Sequence, residues 1–228
     1  MGPGGSSSRG MGVREVVVRL RALDACALSD ALDRLGIDDR VATGLVPFTG
    51  PATIAGRVVT VELGPPPAPE AGRHLGAAAV DASTGDDVIV VAHQGRQDCA
   101  GWGGNLSRGA RQRGAAGTIV DGAMRDVDEA RNIGYPAFAT GATPRTARGR
   151  AVEHRWGGPV TIAGVAVDAG DYVVADGTGV VFVRAAEIAE VLAVAEAIAA
   201  TEATMAASIE AGQPVSTVMG ASYERMLD

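Results

Sequence analysis

The chain has 228 residues, 46% hydrophobic but only 4% aromatic, so its core must come from Ala, Val, Leu and Ile, the usual filling of sheets covered by helices. Lys+Arg 20 against Asp+Glu 27 gives a formal charge of −7 without a long basic run, which argues against a nucleic-acid binder. Two cysteines, Cys26 and Cys99, are too few for a disulfide framework or a closed zinc site, and a reducing cytoplasm is the expected compartment.

The first stretch, residues 1–10, is Gly/Ser-rich without an apolar centre and reads as a disordered leader; residues 1–12 precede a single domain at 13–228. Val13, Val16, Val17, Leu20 and Leu23 share one helical stripe. After a break at Asp24 or Cys26, a second helix carries Leu28, Ala31, Leu32 and Leu35, with Gly36 as its stop and Ser29 and Asp30 on its polar side. Residues 41–63 read as strands, 64–72 as a Pro-rich surface loop and 74–83 as a short helix. The run VIVVA at 88–92 is a buried strand that opens into a loop at 93–101, the position where α/β sheets bind ligands.

Residues 102–139 alternate loop, helix, strand, loop, helix and strand. The helix at 106–112 stops at Gly114, a strand occupies 118–120, a helix runs from Asp126 to Gly134, and a strand follows at 137–139. The loops at 102–105 and 121–126 each precede a helix, so parallel strands would bring both to one sheet edge. Hairpin signals separate short antiparallel strands at 160–162, 165–167, 172–175 and 180–183. A long Ala- and Glu-rich helix spans 185–211, stops at Gly212 and suits packing on a neighbouring subunit. No charge-free apolar run reaches about 18 residues, so no membrane span is expected. The fold class is α/β: one domain with a mixed parallel and antiparallel sheet, N-terminal helices and a long C-terminal helix.

Asp126 followed by Glu129 fits a helix N-cap with an acid three residues on. The same carboxylate, at the mouth of a glycine-bearing loop, suits a hard cation such as Mg²⁺ or Mn²⁺, which takes one or two carboxylates and keeps waters. Arg125 beside it can grip a carboxylate with its guanidinium fork. The amides of Gly103, Gly104, Asn105 and Leu106 precede or open a helix and can face an anion, although the pattern is neither a Walker A loop nor a dinucleotide fingerprint. His74, His93 and His154 lack metal-like spacing. Cys99 would need a base partner to act as a nucleophile, Ser107 reads as first-turn decoration, and Asp176 begins a hairpin turn or is a buried carboxylate.

Four segments occur in one order: SDALDRLG at 29–36, WGGNLSRGARQRGAAGTIVDGAMRD at 102–126, GYPAFATGATPRTARGR at 134–150 and AGDYVVADGTGVVFV at 169–183. Together they resemble the family of class II pyruvate aldolases acting on 4-hydroxy-4-methyl-2-oxoglutarate, which also contains the regulator of ribonuclease E activity. The resemblance spans about residues 13–220. It implies a swivelling β/β/α-type domain, homotrimers or dimers of trimers with sites between subunits, a divalent metal (Mg²⁺ or Mn²⁺), and cleavage of a 4-hydroxy-4-carboxy-2-oxoacid to pyruvate. Oxaloacetate decarboxylation is the implied second activity.

By the same resemblance Asp126 ligates the metal and Arg125 holds the pyruvyl carboxylate or stabilises the enolate. The amides at 103–106 bind the substrate carboxylate. A Glu from a neighbouring subunit's C-terminal helix matches Glu202, with Glu196 second. The Arg-Asp pair distinguishes enzymes in this family from the non-catalytic, protein-binding regulator. One position departs from the pattern: Gly104 stands where many relatives carry an acid. That leaves Asp98 or Asp121 as its substitute, a weaker metal site, or a different substrate.

Overall fold

The computed structural model describes residues 11–66 and 74–220. The leader at 1–10, most of the Pro-rich loop expected at 64–72, and residues 221–228 lie outside the described residues.

Two helices, α1 (Val13–Leu20) and α2 (Ala25–Arg34), open the chain. The Asp24 carboxylate caps α2 by accepting from the Ala27 amide at 2.8 Å. As expected, Gly36 ends the helix: at φ 67° its amide returns to Asp33 at 3.0 Å while that of Ile37 reaches Leu32 at 2.9 Å, a Schellman turn.

The strands are β1 (Val41–Ala42), β2 (Val46–Pro47), β3 (Ile54–Gly64), β4 (Asp87–Arg96), β5 (Gly117–Met124), β6 (Ala137–Ala142) and β7 (Val152–Trp156). Between them lie α3 (Ala77–Ala82), α4 (Gly104–Arg113) and α5 (Val127–Asn132). Then come β8 (Val160–Ile162), β9 (Val165–Val167), β10 (Tyr172–Ala175), β11 (Val180–Val183), α6 (Ile188–Glu210) and α7 (Val215–Val218). The main sheet has the order β1-β11-β10-β3-β4-β5-β6-β2, with β7 added beside β3. Strands β3 to β6 are mutually parallel, linked through α3, α4 and α5, and the rest pair antiparallel.

Strand alternation sorts the core into layers. Val58, Val88, Val90, Ile119, Phe138 and Phe182 point to one face, where the separate β8–β9 hairpin covers them with Val160, Ile162, Val165 and Val167. Ala163 at φ 46° and Gly164 at φ 91° make the two-residue turn of that hairpin, both left-handed as a type I′ turn requires. The opposite face packs against helices: α1, α2 and α6 over β10 and β11, and α3, α4 and α5 over β4 and β5. Hairpin, sheet and helices form the expected β/β/α layering.

Several boundaries differ from the sequence expectation. Residues 93–96 are not yet loop: β4 continues to Arg96 through a bulge in which Gln94 and Gly95 take φ 56° and 66°. Residues 121–124 also belong to a strand, because Gly122 at φ 149° lets β5 bend and resume its pairing with β6. Gly104 and Asn105 belong to the first turn of α4 rather than to a loop before it, so the helix starts two residues ahead of the expected Leu106. The polar strand β7 and the short α7 carry no apolar periodicity and were not expected.

The long C-terminal helix appears as α6, whose Ile188, Val191, Leu192, Ala195 and Ile198 join the core. By length and composition it is the single described helix able to cross a membrane, at mean hydropathy 1.3. Here its first half is packed into the domain, and Glu196 is fixed to Arg19 of α1 by two contacts of 2.7 Å. Its second half is largely exposed.

Candidate active site

The carboxyl ends of β4 and β5 lie side by side, so the segments leaving them meet as expected. Trp102 forms a parallel bridge with Met124, the Gly101 amide donates to Ala123 at 2.8 Å, and the Arg125 amide donates to Trp102 at 2.9 Å. Beneath this junction the buried His93 ring fills the space at two glycines. A Cβ at Gly101 would lie 2.9 Å from His93 Cγ, and one at Gly122 would lie 2.7 Å from His93 Cδ2. His93 Nε2 is 2.9 Å from the Cys99 carbonyl, and burial lowers its basicity below the ordinary imidazole value. The buried Trp102 indole donates to Ser107 Oγ at 2.9 Å, and that hydroxyl donates to the Gly103 carbonyl at 3.1 Å. Ser107 is thus a fully buried latch on the head of α4, not surface decoration.

Asp126 occupies the N-cap position of α5 but does not cap it. Its backbone is left-handed at φ 57° and ψ 38°, and its carboxylate makes no bond to its own helix. Instead Oδ2 accepts from the Gly104 amide at 3.0 Å, so Asp126 serves the head of α4. The left-handed conformation costs a non-glycine residue about 1–2 kcal/mol and aims the carboxylate across the cleft. Arg125 Nε lies 3.3 Å from the same carboxylate, and its two terminal nitrogens have no protein partner among the described residues. A Cβ at Gly103 would stand 3.0 Å from Arg125 Cγ and 3.1 Å from Asp126 Oδ2, so a side chain there would have to displace one of them by a few tenths of an ångström.

These residues line a cleft of about 240 Å³ that also takes in His74, Thr146 and Arg148. It is smaller than the roughly 300–1,000 Å³ of drug-sized sites and suits a small acid. The amides of Asn105 and Leu106 have no helix-capping side chain, because the N-cap is Gly103. They open on the cleft with the positive end of the α4 dipole, and Arg125 and Arg148 add cationic charge. Every candidate site residue at 103–106 and 125–126 therefore lines one cleft.

The remaining candidates lie elsewhere. Asp98 is held by Arg96 through contacts of 2.9 and 2.8 Å, which keeps its carboxyl below the usual range, and Asp121 is buried in β5; neither lines the cleft. Glu202 does not line its own chain's cleft either; burial and the nearby Asp30 and Asp24 push its carboxyl up. Glu196 is committed to Arg19. The Cys99 thiol is buried and pushed up by that burial, unfavourable for a nucleophile. Asp176 is both of the things expected, a turn acceptor from the Thr178 amide and a buried anchor for the Ala25 amide, each at 2.8 Å.

Sequence reasoning missed Glu129 of α5. A Cβ at Gly104 would lie 2.5 Å from Glu129 Oε2 and 2.7 Å from Oε1, and Oε1 accepts from Arg108 Nε at 2.6 Å. Among the described residues no group of three or more His, Cys, Asp or Glu gathers as a metal cage. The donor set is one exposed-edge carboxylate, Asp126, with a second acid nearby. That fits a hard cation keeping waters and awaiting a chelating ligand, not a closed zinc or calcium site.

The fold and cleft define an α/β protein that sets one carboxylate, Asp126, beside Arg125 at the head of α4. Residues 25–182 match the family described as RraA-like, Aldolase/RraA, and the chain belongs to that family. It is 31% identical over 189 residues to Protein DlpA of Legionella pneumophila, covering 83% of this chain but only 31% of that protein. It is 32% identical to the "Putative 4-hydroxy-4-methyl-2-oxoglutarate aldolase" of Burkholderia mallei, covering 63% of this chain and 87% of the relative. Among solved structures, Streptomyces coelicolor RraAS2, described as an unusual member of the RNase ES inhibitor RraA protein family, superposes with TM-score 0.75 at 25% identity, covering 87% of this chain and 96% of that one.

Proposed function

We propose that this protein is a divalent-metal-dependent carbon–carbon lyase that cleaves a 4-hydroxy-4-carboxy-2-oxoacid, such as 4-hydroxy-4-methyl-2-oxoglutarate, to pyruvate, and also decarboxylates oxaloacetate. The observation that carries the reading is the Asp126 carboxylate, held in a strained conformation, withheld from its own helix and set beside Arg125 over the open head of α4. A cap of α5 would have bonded to that helix; the carboxylate instead takes the Gly104 amide at the head of α4, beside Arg125.

The substrate carboxylate is bound by the Asn105 and Leu106 amides, helped by the α4 dipole. The free fork of Arg125 neutralises charge on the oxoacid end as it develops. Asp126 holds the cation, Mg²⁺ or Mn²⁺, which when bound supplies Lewis-acid stabilisation to the 2-oxo group. In the retro-aldol step the C4 hydroxyl gives its proton to a base in solvent and its oxygen forms the new carbonyl as the C3–C4 bond breaks; that bond's electron pair forms the C2=C3 double bond and the charge passes to the 2-oxo oxygen as an enolate. Protonation at C3 then releases pyruvate, and the carbonyl fragment leaves from C4. Decarboxylation of oxaloacetate delivers the same enolate with CO₂ as the leaving fragment, so one site serves both.

In this reading the active form is a homotrimer or a dimer of trimers in the cytoplasm, and the exposed half of α6 carries Glu202 to a neighbouring subunit's cleft. What supports that placement is negative charge without a cation partner: Glu202 forms no ion pair among the described residues, whereas Glu196 is tied to Arg19. The rival reading, a non-catalytic regulator of ribonuclease E type, draws on the likeness to RraAS2. It gives no reason for the strain at Asp126. The test is purified protein with Mg²⁺ or Mn²⁺ given each oxoacid, with pyruvate measured. Pyruvate that disappears with EDTA and with Asp126→Ala supports the lyase. No pyruvate from either acid refutes it.

A further inference from the structure

The ladder between β4 and β5 is interrupted where the site begins. Residues 88–92 pair in step with 117–121, but the next partner of Gly122 is Arg96, so residues 93–95 stand out of the ladder. His93, the first of them, has no exposed surface. A Cβ at Gly122 would lie 2.7 Å from His93 Cδ2 and 2.9 Å from its Cβ; one at Gly101 would lie 2.9 Å from Cγ and 3.2 Å from Cβ. Because His93 Cβ takes part at both glycines, rotating the ring would fully relieve neither contact. Just beyond these glycines the two chain segments are tied together. The Gly101 amide donates to Ala123, Trp102 bridges Met124, and the Arg125 amide donates to Trp102. The ring therefore sits at the root of the junction from which residues 102–106 and 125–126 reach the cleft.

Its surroundings fix its protonation. The Cys99 carbonyl, 2.9 Å from Nε2, can only accept, so Nε2 carries the proton. Nδ1 is then a bare acceptor, buried and without a partner among the described residues. A second proton would go to Nδ1, where no acceptor meets it. Burial opposes that charge most, and Arg96 on the same strand opposes it too. The Cys99 carbonyl, Asp98 and Asp121 of β5 favour it, but Asp98 is itself held by Arg96. The Cys99 thiol, 3.7 Å from Nε2, faces the nitrogen that is already protonated.

We infer that His93 is a positioning residue for the cleft: as a neutral imidazole protonated on Nε2, it is the spacer that sets the Gly101–Trp102 segment against the Gly122–Arg125 segment. Through them it sets the head of α4 against Asp126. Its effect on turnover rests on the lyase reading, whereas the spacer itself is tested without substrate.

The test uses the full chain labelled with ¹⁵N, without metal or substrate. Long-range ¹H–¹⁵N correlations of its three histidines should show His93 in the Nε2–H form at neutral pH. The Trp102 indole N–H, bonded to Ser107, reports the junction. As pH falls below about 6.5 this resonance should shift while far-UV circular dichroism stays native, and kcat with Mg²⁺ should fall with the same midpoint. His93→Gln keeps a donor for Cys99 but not the ring. It should hold the Trp102 resonance constant through that range and lower kcat at every pH by about 10–100-fold, since a misplacement of about 1 Å can cost about 100-fold. A merely structural histidine would move the unfolding midpoint and leave the acid limb of kcat in place. An Nδ1–H tautomer or an imidazolium at neutral pH overturns the inference. So does a Trp102 resonance indifferent to acid until the whole chain unfolds, a result that decides even if His93→Gln fails to fold. Wild-type kcat in a folded His93→Gln overturns it as well. A wild type that makes no pyruvate overturns the lyase reading instead, and the spacer then stands or falls by the tautomer and the Trp102 resonance.

Discussion

Asp126→Gly should leave the protein folded and remove its activity. The wild-type residue is left-handed at φ 57°, a conformation that costs about 1–2 kcal/mol and that glycine adopts freely. Against that gain stands the loss of the 3.0 Å bond from the Gly104 amide to Oδ2. A capping bond of this kind, with a third of the side chain exposed, contributes about 1 kcal/mol. Glycine also frees the unfolded chain by roughly 0.5–1 kcal/mol. The terms nearly cancel, and the predicted change in unfolding free energy is within about 1 kcal/mol. Urea unfolding followed by tryptophan fluorescence reads this directly, since Trp102 is buried beside the site. Pyruvate formation, coupled to NADH oxidation, should fall at least about 100-fold, the scale for removing a group that stabilises developing charge. A stability loss above about 3 kcal/mol would show that the carboxylate is chiefly structural. Retained activity would remove Asp126 from the chemistry.

Two further outcomes probe the scaffold. Ser107→Ala strands the buried Trp102 N–H, and an unsatisfied buried donor costs about 1–3 kcal/mol, so urea midpoints should drop accordingly; an unchanged midpoint would mean the latch is idle. His93 is held below its ordinary value of 6.5, so the folded state takes up its proton less readily than the unfolded chain. Its contribution is fully present above that value and is lost as pH falls below it, until the folded imidazole itself titrates. Stability should therefore decline as pH falls below about 6.5, and His93→Gln should flatten that decline; parallel pH profiles for the two proteins would contradict the assignment.

Much of this was legible in the sequence because it rests on periodicity and punctuation. VIVVA, the hairpin at Ala163-Gly164, the Gly36 stop and the apolar stripe of α6 each state their conformation locally. The site was harder, because its glycines do not mean loop. Gly122 lets a strand bend, Gly104 makes room for another residue's carboxylate, and Gly101 makes room for the His93 ring. Those roles depend on partners distant in sequence. Asp126 shows the limit most clearly: its spacing to Glu129 reads as a capping box, yet the left-handed backbone turns its carboxylate to a different helix. Glu129 itself left one signal, its placement three residues after Asp126 on the same helical face.

The central claim is that Arg125, Asp126 and a divalent cation stabilise a pyruvate enolate, whichever larger acid supplies it. The most direct measurement is exchange of the pyruvate methyl protons for deuterium in D₂O, followed by proton NMR. With Mg²⁺ or Mn²⁺ the wild-type protein should accelerate exchange well above the buffer rate, and EDTA, Asp126→Asn and Arg125→Ala should each return it to background. Exchange no faster than buffer with saturating metal and pyruvate would contradict the account.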